Sequence, residues 1–259
     1  MASAPPLDYD TIRGSSLIIP AVTIGNIPQL ATDLLLHNLG FAKVAALPDH
    51  FLYPYVSGID HLPLEKLPRG ILLALEVFYS EKYNVTLLQQ RSPIIAGMSK
   101  QHIQQILLPF IAEALFTKIM VLALADAGLE EKRATMRLFS DSAIEEMITW
   151  MQISPRAEPD YLRLESLDSL PKDLDKYTEE LISKIQPELE DGTKKPSIAA
   201  SVLVSYVYEG DNTQDAFSMA SAAAKVFGIG SAEWKIPVSW MGVYGDRPIP
   251  VALEEGLYG

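Results

Sequence analysis

The chain has 259 residues, 48% of them hydrophobic, which is enough to bury the core of one large α/β domain or of two small ones. Aspartate and glutamate outnumber lysine and arginine by 33 to 21, giving a formal net charge of -12 at pH 7. This balance argues against nucleic acid and anionic membranes as partners, because phosphate binding depends on clustered basic side chains. The absence of cysteine excludes a disulfide framework, a thiolate nucleophile and cysteine zinc sites.

The amino terminus carries no visible targeting signal. Residues 1–14 are polar, contain Pro5 and Pro6, and predict a flexible leader without the basic and apolar regions of a secretory signal. The most apolar segment, 118–125, is far shorter than the roughly 20 residues that span a bilayer. We therefore expect a cytosolic or nuclear protein.

The first half of the chain predicts the strand, helix and strand unit that builds parallel sheets. Asn26 is placed to cap the helix, Pro28 suits its first turn and Gly40 is placed to end it. Four prolines between residues 48 and 70 predict an irregular surface excursion that could serve as an interface loop. The predicted elements are a strand at 16–22, a helix at 26–40, strands at 41–47, 71–79 and 84–90, a helix at 99–116 kinked at Pro109, and a strand at 119–125.

The second half of the chain is harder to interpret, and residues 126–195 match no motif. Within them, residues 173–190 predict a solvated amphipathic helix between Pro171 and Pro187. Residues 198–207 fit either a strand or the end of a buried helix. Thr213 is a plausible cap for a helix that stops at Gly228, and residues 230–259 predict an extended C-terminal tail. Together the elements predict a single α/β domain around a central mixed, largely parallel sheet with helices on both faces.

Residues that could support catalysis do not form a recognisable set. The four histidines, His37, His50, His61 and His102, contain no pair at the spacing of a helical metal site, so we predict no catalytic, cofactor-binding or metal-binding residues. The turn at Gly25 and Asn26 could hold an anion at a helix start, although a tight turn at Gly25 with helix capping by Asn26 explains it better. The segment Glu209-Gly-Asp-Asn212 has too few oxygen donors in register for a calcium loop and is better explained as a turn.

The last three residues, Leu257, Tyr258 and Gly259, offer a hydrophobic side chain, an aromatic ring and a terminal carboxylate. A peptide end of this kind can bind a partner that provides a lysine and an apolar wall. A charge-assisted hydrogen bond from that lysine to the terminal carboxylate contributes roughly 1.5 to 3 kcal/mol. A stable complex therefore needs further contacts that act together with the tail.

Three separated blocks resemble the second-subunit family of the eukaryotic heterodimeric proteasome assembly chaperones. They are Leu17-Ile-Ile-Pro-Ala-Val-Thr-Ile-Gly-Asn-Ile-Pro-Gln-Leu-Ala-Thr-Asp33, Tyr208-Glu-Gly-Asp-Asn-Thr-Gln-Asp-Ala216 and Trp234-Lys-Ile-Pro-Val-Ser-Trp240. A weaker similarity runs from Glu76-Val-Phe-Tyr79 to Gln89-Gln-Arg-Ser92. The blocks cover about a seventh of the chain, but their order spans nearly all of it.

The resemblance implies a phosphorylase-like α/β architecture without catalysis. It implies a heterodimer with a related chaperone subunit that sits on the outer face of the proteasome α-ring, with no ATP or other cofactor. Leu257, Tyr258 and Gly259 match the hydrophobic-Tyr-X motif that enters pockets between proteasome α subunits. The family's role would be to promote α-ring assembly and to block premature activator binding. Two alternatives stay open at this point: a nucleoside or phosphate-using enzyme with its site at Gly25 and Asn26, and a scaffold that binds through residues 173–190.

Overall fold

The computed structural model describes residues 7–23, 25–66, 68–127, 136–140, 163–171, 174–185, 198–207, 212–230 and 233–240. Within these ranges the strands are β1 (Ser16–Pro20), β2 (Ala42–Ala46), β3 (Val56–Gly58), β4 (Ile71–Leu73), β5 (Leu75–Ser80), β6 (Val85–Gln90), β7 (Lys118–Asp126), β8 (Met136–Ser140), β9 (Arg163–Ser166) and β10 (Ala199–Val207). The helices are α1 (Tyr9–Ile12), α2 (Ile27–Asn38), α3 (Ser99–His102), α4 (Leu108–Ala114), α5 (Lys176–Ile185) and α6 (Thr213–Val226).

Eight of the described strands form one mixed sheet in the order β2-β5-β6-β1-β7-β10-β8-β9. The central strands β6, β1, β7 and β10 run parallel to one another. At the edges, β5 pairs antiparallel with β6, β2 pairs antiparallel with β5, and β8 pairs antiparallel with β10. Strands β7 and β10 are continuous apolar runs because both faces of this part of the sheet are covered. The predicted fold class is confirmed. Of the two alternatives for residues 198–207, the strand is correct, since β10 occupies Ala199–Val207.

Helices cover both faces of the sheet, which separates the core into two layers. One layer contains Ile12, Phe110 and Leu181, from α1, α4 and α5, against one side of the central strands. The other layer contains Leu34 of α2 and Met219 of α6 against the opposite side. None of the helices in the described ranges is long and apolar enough to cross a membrane.

The excursion at residues 48–70 is more ordered than predicted. Strand β3 pairs antiparallel with β4 in a separate two-stranded ribbon, which joins Gly58 to Ile71 and Val56 to Leu73. The predicted strand at 71–79 is therefore two strands, since the chain leaves the ribbon at Ala74 and enters the main sheet as β5. An apolar run alone does not show where a chain passes from one sheet to another.

Two helix boundaries also differ from the prediction. The helix predicted at 99–116 is interrupted by a π-helical turn at Ile103–Leu107. Pro109 explains this turn, because its ring would clash with the carbonyl group of Gln105 in a regular helix. At the start of α6 the cap position belongs to Asn212 and not to Thr213. The predicted ends at Gly40 and Gly228 are confirmed, because both glycines adopt positive φ angles of 70° and 68° after their helices.

The structure refines two predictions about polar segments. Residues 9–12 of the predicted flexible leader form α1, and Ile12 within it is fully buried. The acidic helix α5 begins at Lys176, later than predicted, and its Leu181, Ile182 and Ile185 are buried in the core. Its acidic residues lie on the remaining surface, as expected for an amphipathic helix that packs against the domain.

Candidate functional site

The predicted docking residues Leu257, Tyr258 and Gly259 lie outside the described residues, and their role stays a prediction. The described chain ends at Trp240, so the structure defines the point from which the C-terminal segment starts. That point is the third of the resemblance blocks, residues 234–240.

Residues 234–240 are attached to the body by hydrogen bonds at both ends. The side chain of Asn38 donates to the carbonyl oxygen of Lys235 at 3.0 Å and accepts from its backbone N–H at 2.9 Å. The indole N–H of Trp234 donates to Ser221 at 2.7 Å. Farther along, the N–H of Ser239 donates to the carboxylate of Asp60 at 3.2 Å. The last described residues therefore have a fixed position against α2, α6 and the excursion.

The turn at Gly25 and Asn26 has a different role from the predicted one. Asn26 adopts the left-handed conformation with φ 53°, and its side chain makes no capping hydrogen bond to α2. Its backbone N–H donates to the carbonyl oxygen of Thr23 at 3.2 Å, so this group is already engaged. Asn212 donates its side-chain amide to the carbonyl oxygen of Gly25 at 3.4 Å. Of the predicted turn Glu209 to Asn212, only Asn212 belongs to the described residues.

The three resemblance blocks thus converge around α2, although they are far apart in sequence. The first block supplies β1 and most of α2, the second supplies Asn212 and the start of α6, and the third crosses the far end of α2 at Asn38. The family-like residues are therefore concentrated in one region of the fold.

A cleft of about 510 Å³ lies beside this region. One wall is a face of α2 from Gln29 to His37, a second is the end of β6 with Arg91 after it, and the excursion, Leu72 and residues 238–239 form the rest. Clefts at the carboxyl ends of parallel strands are the usual ligand positions in α/β folds. The polar side chains that line it include Gln29, Asp33, His37, Asp60, His61, Gln89 and Arg91.

Charged side chains under the cleft form a connected network. Glu76 is fully buried and forms ion pairs with Lys43 and Arg91. Arg91 also lies 4.0 Å from Asp33, whose side chain is 22% exposed. Burial raises the pKa of Asp33 above the usual aspartate range, Arg91 and a hydrogen bond from Gln89 oppose this rise, and the nearby Asp60 adds to it. Arg91 therefore only partly offsets the cost of burying the negative charge of Asp33.

Two of the four histidines lie together at the cleft, and a third is buried in the core. His37 and His61 line the cleft. His102 is fully buried, its Nδ1 atom lies 3.2 Å from the hydroxyl oxygen of Tyr177, and burial lowers its pKa to about 4. Among the described residues no group of histidine, aspartate and glutamate is arranged to hold a metal ion.

One site is formed by four residues that the sequence did not predict together, Asp33, Glu76, Gln89 and Arg91. The sequence does show that polar side chains stand in or directly after apolar elements at these positions. Such interruptions indicate partners inside the protein, but they do not say which residues meet.

Comparison with known families shows to which family the chain belongs. Residues 17–231 match the model of the PAC2 family. The chain belongs to the PAC2 family. A protein of Nematostella vectensis called proteasome assembly chaperone 2 is 29% identical over 80% of this chain and 86% of its own length. The human protein of that name is 26% identical over 97% of both chains. The resemblance noted in the sequence is confirmed, and these relatives support a proteasome assembly chaperone of the PAC2 type.

Solved structures agree on the fold. PbaA of Pyrococcus furiosus, described as an archaeal homologue of proteasome-assembly chaperone, superposes with a TM-score of 0.60 over 85% of this chain and 84% of its own, at 9% identity. PbaB of the same organism, described as an archaeal proteasome activator, gives a TM-score of 0.59 over 89% of each chain at 15% identity. At these identities the likeness concerns the fold alone.

Proposed function

We propose that this chain is one subunit of a chaperone that assembles the proteasome core particle. The observation that carries the proposal is the PAC2 match over residues 17–231, with relatives named proteasome assembly chaperone 2 covering most of the chain. The chaperone pairs with a related subunit, binds the outer face of the α-ring, promotes assembly of that ring and blocks premature activator binding. The net charge of -12 suits a partner with basic groups at the contact. We place this activity in the cytosol or the nucleus.

The C-terminal residues Leu257, Tyr258 and Gly259 are the proposed docking group. Nineteen residues follow Trp240 in the sequence. At about 3.3 to 3.6 Å per residue, an extended segment of that length reaches at most about 68 Å from its attachment. The fixed start at Trp240 and a terminal carboxylate at the other end suit insertion into a pocket beyond the area covered by the body.

The β3–β4 ribbon is the surface that we assign to the related subunit. Large apolar side chains that are exposed in the described ranges concentrate in or beside it, namely Tyr53 (49% exposed), Val56 (67%), Leu64 (106%) and Ile71 (55%). Exposed apolar groups gathered in one place are typical of protein interfaces. Covering them with a partner chain would remove that surface from water.

Copurification tests the proposed function most broadly. The tagged chain, isolated from its native source, is expected to bring with it a second PAC2-type chain and proteasome α subunits. Val56→Asp is expected to release the second chain, because a charge would be buried at the contact. Leu115→Asp is the matched control, since Leu115 is also apolar and 57% exposed but lies after α4. Recovery of neither kind of partner with the wild-type chain would refute the proposal.

The alternative of a nucleoside or phosphate-using enzyme receives little support from the geometry. Arg91 is the single lysine or arginine among the described residues that line the cleft, and it is already paired with Glu76. The backbone N–H of Asn26, which the anion hypothesis requires, donates within its own turn. Phosphate would therefore meet two aspartates and no free cationic side chain of lysine or arginine.

A further inference from the structure

Two side-chain oxygen atoms of residues that line the cleft beside α2, in Gln29 and Gln89, are buried without a hydrogen-bond partner. The side-chain amide nitrogen of Gln89 donates to Asp33 at 2.6 Å and to the carbonyl oxygen of Gln29 at 3.0 Å. Both partners are acceptors, so the amide orientation of Gln89 is fixed by its hydrogen bonds. Its Oε1 atom is the group left over, and it is buried without a partner in a residue that is 0% exposed.

Gln29 adds a second unpaired acceptor to the same wall. Its side-chain oxygen is buried without a partner, and the residue is 7% exposed. Buried polar atoms without partners are uncommon, because such an atom loses its hydration and gains no hydrogen bond in exchange. Two of them, in residues that line the same cleft as Asp33, indicate a site that is completed by a hydrogen-bond donor.

The charge of the cleft favours a cationic donor over a neutral one. Two carboxylates, Asp33 and Asp60, line the cleft, and Arg91 is the single lysine or arginine among the described residues that line it. Arg91 is paired with the buried Glu76 and also lies 4.0 Å from Asp33. Asp60 is held in place by the N–H groups of His61 at 2.9 Å and Ser239 at 3.2 Å. A cation that enters next to Asp33 would therefore be attracted by two carboxylates, while the opposing charge of Arg91 is compensated by Glu76.

We propose that this cleft binds a guanidinium or alkylammonium group, with Asp33 as its counter-ion and the side-chain oxygens of Gln29 and Gln89 as further acceptors. Guanidinium and ammonium groups carry only donors, which matches the carboxylate of Asp33 and the two unpaired side-chain oxygens. The volume of about 510 Å³ admits an arginine or lysine side chain, or a small amine of similar length. The site is separate from the C-terminal docking residues and does not depend on them.

Binding of N-butylguanidinium, measured by calorimetry on the full chain, tests the site. Saturable binding is expected, and Asp33→Asn is expected to weaken it by about tenfold or more, since the variant keeps the shape but loses the charge. Asp10→Asn is the matched control, because Asp10 is 81% exposed on α1 and should leave binding unchanged. The proposal is overturned by absence of saturable binding, by equal binding to the Asp33 variant, or by binding of adenosine or inorganic phosphate in place of the guanidinium.

Nuclear magnetic resonance provides a second measurement on the wild-type chain, which is independent of any variant. Added N-butylguanidinium is expected to shift the side-chain amide signals of Gln89. The signals of Gln101 should stay in place, because its buried unpaired oxygen lies outside the cleft. Unchanged Gln89 signals at saturation would contradict the proposal.

The source of the cation can be determined in the same system. If the cation belongs to a side chain of a partner protein, N-butylguanidinium will reduce capture of that partner by the wild-type chain but not by Asp33→Asn. If it belongs to a free amine, capture will be unaffected while calorimetric binding persists. Either result supports the acceptor site and identifies what fills it.

Discussion

Gly25 and Asn212 stand 187 positions apart in the chain, and the side chain of Asn212 donates to the carbonyl oxygen of Gly25. A side chain at position 25 would have to displace Asn212, since a Cβ atom on Gly25 would lie 2.4 Å from the amide nitrogen of Asn212. Gly25 also has φ +83°, a conformation that other residues rarely adopt. The contact joins the β1–α2 turn to the start of α6.

Gly25→Ala is therefore expected to lower the free energy of unfolding by about 2 to 4 kcal/mol, from backbone strain and displacement of Asn212 together. Gly14→Ala is the matched control, because Gly14 has φ +71° but nothing within 4 Å of its Cβ position. It should show only the backbone part, about 1 to 2 kcal/mol. Urea unfolding of the two variants measures the difference, and equal losses would show that Asn212 exerts no steric constraint on Gly25.

Glu76→Gln is expected to destabilise the fold by about 3 kcal/mol, because it keeps the shape of the side chain but leaves the buried Arg91 without its main counter-ion. Lys43, which is 32% exposed, can turn to water, so Lys43→Met should cost less. Urea unfolding at pH 7 compares the two. A larger loss of unfolding free energy in Lys43→Met than in Glu76→Gln would contradict this ranking. It would mean that the Lys43–Glu76 pair between β2 and β5 contributes more to stability than the Arg91–Glu76 pair.

The buried His102 predicts loss of stability in acid. Its pKa is lowered to about 4 in the folded protein and is near 6.5 in the unfolded chain. Below pH 6.5 the unfolded chain binds a proton that the folded protein excludes, so stability falls as the pH drops from 6.5 towards 4. The contribution is on the order of 3 kcal/mol at pH 4.

Thermal or urea unfolding between pH 7 and pH 4 measures this effect in the wild-type chain and in His102→Leu, whose profile should be flatter. His37→Gln serves as the control because it leaves His102 in place. Parallel profiles for the wild-type chain and His102→Leu would rule out His102 as the cause of the acid loss.

The sequence predicted the layered fold well because its strands and helices have clear apolar periodicity and clear ends. Gly40 and Gly228 end their helices as expected, and the apolar residues of β7 are buried along the strand. The prediction failed where local signals were ambiguous. The ribbon β3–β4 depends on pairing between Val56 and Leu73, which no local pattern indicates.

The cleft could not be predicted from the sequence for a similar reason. Asp33 and Gln89 are 56 positions apart, and each is explained separately, Asp33 as a polar residue of an amphipathic helix and Gln89 as a polar residue near the end of a strand. Only the crossover that lays α2 beside β6 makes them partners. The docking residues Leu257 to Gly259 are the opposite case, since the sequence motif suggests their role and the described structure does not include them.

The proposed joint binding of the C-terminal tail and the folded body to the proteasome core particle can be measured as an affinity. The proposed chaperone heterodimer is titrated onto core particles with the wild-type chain and with a chain that lacks Leu257, Tyr258 and Gly259. The truncation is expected to lower the affinity by about tenfold or more, with pairing to the second subunit intact. Unchanged affinity in the truncated chain would contradict it.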